Sequence, residues 1–270
     1  ADSADHYFDH INECLQQPEF RPRALLDRFN VAYIATTEHA LDPLTHHKKL
    51  VADGMSSRVT TTFRPDDVLD PDFHNFGANI ERLGELTGED VASFSGYLAA
   101  LRARRAFFRS VGATATDHGP ATPFTADLDV HDAARLYQRC CAGTASADER
   151  TLFRGHMLTE MARMSIEDGM VMQLHPGSCR NHNRPLFTLF GSDKGADIPQ
   201  RVDYCEALRP LLNAVGNDPR LELIVFTLDE SNYARELAPL AGHYPALRLG
   251  PPWWFHDSPE GILRFRHAVT

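Results

Sequence analysis

Apolar positions along this chain alternate between two spacings, one helical and one extended. Tyr7, Phe8, Ile11 and Leu15 fall at helical spacing and predict an amphipathic opening helix that stops near Pro18. Pro22 suits the first turn of a second helix, which carries Leu25, Leu26 and Phe29. Residues 31–37 are β-branched and aromatic and read as a buried strand. Asp42-Pro43 reads as a cap and a first-turn proline, for a helix running to Gly54. Strand 59–64 follows, and then a helical region from about Asn75. Its main helix is predicted to start near Thr87, where Thr87 and Asp90 approximate a capping box, and to stop at Gly112.

A strand at 113–117 comes next, then two helices, the second announced by Ser146-x-x-Glu149 and closed at Gly169. Strand 170–175 runs into Pro176-Gly177 and a polar tract, structureless by its pattern, from about Arg184 to Gln200. A helix over 198–215, strand 222–228, a helix to about Ala241, strand 246–250 and a helix from near Ser258 complete the series. Strand then helix, six times over, predicts an α/β fold with a parallel sheet and helices outside it, in one domain over residues 1–270. In a barrel of that kind, chemistry sits at the strand C-termini.

Those six ends carry Glu38 and His39; Arg64 and Asp66; Asp117 and His118; His175 and Arg180; Asp229; and Trp253, Trp254, His256 and Asp257. One charged strand end is weak evidence, because strands surface there. Six in succession, three with histidine and two with arginine, point to a shared mouth. The planar fork of arginine suits a carboxylate, and histidine moves protons or ligates metals near neutral pH. Trp253-Trp254, just past Gly250-Pro251-Pro252, leans towards a pocket wall. His46-His47 lies on a predicted helix face and reads as solvated.

Composition narrows the function classes. The 270 residues are 43% hydrophobic and 24% charged with a formal charge of −10, so neither nucleic acid nor an anionic membrane surface is an expected partner. Five cysteines without C-x-x-C spacing read as free cytosolic thiols. No apolar run approaches a membrane span, and the acidic start is unlike a signal peptide. The chain does not open on methionine, which processing or a start within a longer protein would explain. No dinucleotide fingerprint, P-loop or nucleophile elbow is present.

Five collinear stretches resemble the uronate isomerase (glucuronate isomerase) family, a branch of the metal-dependent amidohydrolase superfamily. They are Ala35 to His47, Thr62 to Asp66, Thr116-Asp117-His118, Gln173 to Asn183, and Gly250 to Asp257. The resemblance runs from about Ala24 onward. One departure is Glu38-His39, where many members carry two aspartates.

The resemblance implies a (β/α)8 TIM-barrel type fold, a cytoplasmic homo-oligomer and a small-molecule uronate substrate. It implies an aldose–ketose isomerisation, D-glucuronate to D-fructuronate and D-galacturonate to D-tagaturonate. Asp117 and His175 become the catalytic candidates, Arg64 and Arg180 the carboxylate and hydroxyl ligands, and Trp253 and Trp254 the pocket wall. Family members hold a divalent metal, zinc, through an H-x-H pair on the first barrel strand and an aspartate on the eighth. The six strands here read as the second to the seventh, so the barrel is expected to be partial and no metal fully ligated by this chain. The alternatives are another metal-dependent hydrolase of the superfamily, or a non-catalytic sugar-acid-binding remnant.

Overall fold

A computed structural model describes residues 2–269. Six strands form one sheet in the order β1 (Ile34–His39), β2 (Val59–Arg64), β3 (Ala115–His118), β4 (Val171–Leu174), β7 (Leu223–Val225) and β8 (Leu247–Leu249). Every pairing is parallel, so all six C-termini emerge on one side. The short strands β5 (Ser178–Cys179) and β6 (Ile198–Pro199) make a separate antiparallel ribbon beyond the end of β4.

Local chemistry explains where the helices begin and end. Ser146 and Glu149 cap helix Ala147–Asp168 reciprocally, and Gly169 closes it at φ 75°, a left-handed conformation that glycine adopts without penalty. Helix Phe94–Ser110 starts later than its sequence suggests. Thr87 is the last residue of the preceding helix, Phe76–Thr87, and its hydroxyl donates back to the Leu83 carbonyl at 2.8 Å. Gly88 then ends that helix in the left-handed region, and Ser93 caps the next one. The Thr87/Asp90 box does not form.

Three other expectations shift for similar reasons. Asp42 spends its carboxylate on the Leu44 N–H at 2.6 Å, an Asx turn, so the helix begins at Thr45. Pro199 is held in the ribbon, and helix Tyr204–Val215 starts only after Asp203 caps it. The tract 184–200 is partly ordered, because Asn183 caps a short helix, Arg184–Phe190, which folds the chain back towards the ribbon. His47 is buried, not solvated: it faces the sheet, with Nε2 2.8 Å from Thr36 Oγ1.

One continuous apolar core lies between sheet and helices. Phe63 of β2 meets Phe108 edge to face at 5.0 Å, and Tyr97 stacks on Tyr137 at 4.7 Å. Such aromatic pairs add roughly 0.5–1.5 kcal/mol beyond the area they bury. Arg105, 1% exposed, is tied to Asp168 and Ser165, which pins helix Phe94–Ser110 to helix Ala147–Asp168. Among the described residues no helix is long and apolar enough to cross a membrane.

Candidate active site

The parallel register brings the strand-end residues of β2, β3 and β4 side by side. His39 is level with Arg64, and Asp117 with Gln173, one residue short of the His175 turn. Arg64 Nε donates to Asp66 Oδ2 at 2.8 Å, and its Nη1 donates to Asp117 Oδ2 at 3.3 Å. Asp117 Oδ1 lies 2.6 Å from His175 Nδ1. One carboxylate therefore bridges an arginine and a histidine from neighbouring strands.

The charges of these groups are balanced by burial and partners. Burial pushes the Asp117 carboxyl up, but the hydrogen bond and charge of His175, with Arg64, outweigh it and hold Asp117 below the ordinary carboxylate range. Burial raises Asp66 despite Arg64 beside it. His118 follows Asp117 in sequence, but its side chain is fully buried, with Nε2 3.1 Å from Thr116 Oγ1. Burial drives it down to about 3, so it stays neutral at physiological pH.

His175 is clamped from its other side by aromatic rings. The Phe226 ring stacks on it at 3.9 Å, and Trp253 meets it edge to face at 4.7 Å. Trp253 contacts Trp254, and the Arg180 guanidinium lies over the Trp254 ring at 5.0 Å. Arg180 Nη1 also donates to the buried Asp197 at 3.1 Å. All six candidates, Arg64, Asp117, His175, Trp253, Trp254 and Arg180, thus belong to one chain of contacts across the mouth.

Arg64 and Arg180 also line a common cleft of about 640 Å³ with Thr37, His39, Asp66 and Gly119. Its outer rim is Phe73 and Phe187. Of the Glu38-His39 pair, only His39 lines this cleft. Glu38 turns to the helix layer, where it accepts from Thr61 and lies 3.7 Å from His47.

Three members of this arrangement escape a search for charged strand ends. Phe226 is apolar, and Gly250 is needed for it: a Cβ there would lie 2.6 Å from the Phe226 ring. Asp197 lies inside the tract read as structureless, and its caps on Arg180 and the Asn181 N–H appear only once that tract is folded. The signal for Gly250 was its place directly after a strand. Nothing in the pattern singled out Asp197.

A metal centre was tested against the same residues. Among the described residues no three His, Cys, Asp or Glu side chains group closely enough to hold a metal ion. His175 already commits Nδ1 to Asp117. The donor set does not fit a metal, and no chemical step is routed through one.

A family model described as glucuronate isomerase matches residues 1–269. The chain is 66% identical over 269 residues to a uronate isomerase of Rhizorhabdus wittichii, covering 100% of this chain and 58% of that protein. A crystal structure of glucuronate isomerase from Caulobacter crescentus superposes with a TM-score of 0.96 at 53% identity, over 100% of this chain and 56% of that one. A uronate isomerase from Thermotoga maritima gives a TM-score of 0.86 at 29% identity, covering 93% of this chain and 56% of that one. The chain thus spans less than three fifths of the length of these relatives.

Proposed function

The chain belongs to the glucuronate isomerase family, and on that premise we propose that the protein carrying it interconverts D-glucuronate with D-fructuronate and D-galacturonate with D-tagaturonate. The observation that supports this reading is the Arg64–Asp117–His175 series at the strand ends, beside a cleft that Arg64 shares with Arg180. An aldose–ketose isomerisation moves one proton between C1 and C2 and another between the two oxygens. Asp117, kept ionised, accepts the His175 Nδ1–H and leaves Nε2 to exchange a proton with a substrate oxygen.

Arg64 and Arg180 bind the carboxylate and hydroxyls, and the Trp253-Trp254 pair walls the sugar. The carbon-bound proton is left to the carboxylate that the family resemblance assigns to the metal site. That divalent ion, zinc in this reading, would take its ligands from outside the described residues. Homo-oligomeric assembly and a cytoplasmic location belong to the same proposal.

The test is a progress assay on the whole gene product, with D-glucuronate and D-galacturonate and the ketose followed by NMR. Metal content is measured in parallel. Ketose formation from at least one uronate is expected. Sugar-acid binding without turnover, under any divalent metal, would replace the isomerase with a binding protein.

A further inference from the structure

The two arginines of the cleft are not equivalent. Nε and Nη1 of Arg64 are already spent, on Asp66 and Asp117, and among the described residues only Nη2 has no protein hydrogen bond. That nitrogen lies against Gly119, where a Cβ would come within 2.1 Å of it. Gly119 also fixes Asp66 from behind, its N–H donating to Oδ2 at 3.1 Å. Arg64 therefore carries two carboxylates on one guanidinium and keeps a single free donor. Arg180 differs on both counts. Only its Nη1 donates to protein, to Asp197, so its Nε–Nη2 edge is intact, and its side chain is 39% exposed.

Carboxylate recognition by arginine is strongest when one edge offers two parallel N–H donors to two oxygens. Arg180 has that edge and Arg64 does not. Two carboxylates at 2.8 and 3.3 Å also repel a third, whereas a neutral hydroxyl needs only one donor.

We propose that Asp66 and Gly119 are positioning residues that make Arg64 a one-donor hydroxyl ligand, leaving the substrate carboxylate to Arg180. This rests on the uronate reading above and divides a labour which that reading left shared between the arginines. Gly119 supplies the space for Nη2, and Asp66 sets the angle of the guanidinium.

Two non-reacting ligands of matched hydroxyl configuration separate the roles: the acid made by reducing D-glucuronate at C1, and D-glucitol. Their dissociation constants are measured by calorimetry on the whole gene product and its variants. Gly119→Ala displaces Nη2 and is expected to weaken both ligands by the same factor, tenfold or more. Asp66→Asn, which adds no atoms, gives the same equal loss if Gly119→Ala fails to fold. In an Arg64→Lys background, Gly119→Ala adds nothing further, since no Nη2 remains to displace.

A loss at least tenfold larger for the acid than for the polyol would make Arg64 the carboxylate ligand and overturn the assignment. Additive losses in the double variant would reduce Gly119 to a purely structural glycine and overturn it as well. Unmodified protein that binds neither ligand would instead overturn the uronate reading, before any variant is made.

Discussion

Asp117 Oδ1 and His175 Nδ1 stand 2.6 Å apart across β3 and β4, and the other oxygen of the same carboxylate meets Arg64 at 3.3 Å. The contact sets the orientation of the imidazole, because Phe226 and Trp253 leave its plane little freedom. Asp117→Asn keeps the shape but replaces an acceptor with an amide that can donate to the ring. Proton exchange by a positioned side chain is worth about 10²- to 10⁴-fold, so kcat should fall at least about 100-fold with KM little changed. Steady-state kinetics on the whole gene product check this. A variant within threefold of the parent kcat would remove the pair from the mechanism.

Arg180 is held by one hydrogen bond to Asp197 and by the Trp254 face. Arg180→Lys retains the charge and loses both the fork and the stacked plane. Uronate kcat/KM should drop about 10- to 100-fold, which corresponds to roughly 1.4–2.8 kcal/mol. Turnover of the matching neutral sugar should change far less. Equal losses on the two substrates would show that Arg180 does not read the carboxylate.

Much of this fold is legible before any coordinates, for a physical reason. Buried parallel strands such as Val59–Arg64 must be apolar or hydroxyl-bearing over their whole length, and they contrast sharply with the helical spacing around them. The order β1-β2-β3-β4-β7-β8 follows from that alternation. Charged strand ends then place Arg64, Asp117 and His175 at the same mouth. What the pattern cannot carry is anything that depends on competition between two local signals. Thr87 could cap a helix or end one, and Gly88 decided it. His47 and His46 are adjacent in sequence, yet only His47 faces the sheet. Asp197 and Phe226 act through tertiary contacts that no short window contains.

Two buried groups should shape stability against pH in opposite directions. Asp67, 5% exposed with Oδ1 unpartnered, is pushed up to about 6 by burial, against the His39 charge and the Ala40 N–H. Its folded state binds the proton more tightly than the unfolded chain, so its contribution is full below about 4 and is lost as pH rises through about 6. His118 is pushed down to about 3, so its contribution is full above about 6.5 and is lost as pH falls through about 3. From about pH 4 to 6 the two slopes offset each other, each being at most about 1.4 kcal/mol per pH unit. Asp67→Asn removes one of them and should unmask a steeper loss of stability on acidification. Urea unfolding at pH 4, 5 and 6 reads this directly, and parallel curves for variant and parent would refute it.

The last expectation concerns residues 1–270 expressed alone. β1 pairs only with β2, and β8 only with β7, so each leaves one row of backbone donors and acceptors without a strand partner. Natural edge strands are blunted by charge, proline or a bulge. β1 carries no charge from Ile34 to Thr37, and β8 has only Arg248. Phe29 at 70% and Tyr33 at 50% exposure lie just before β1 and add apolar surface close to that edge. A metal ligand set is also missing from the described residues. The segment alone should therefore associate through these edges, eluting ahead of a monomer in size-exclusion chromatography. It should also form no ketose from D-glucuronate with added divalent metal, while the whole gene product does. Introducing charge at the edge, as in Thr37→Lys, should shift the segment towards monomer without restoring activity. A monomeric segment as active as the whole product would mean that the described residues contain the complete catalytic apparatus, and the assignment of the carbon-bound proton to a residue beyond them would fall.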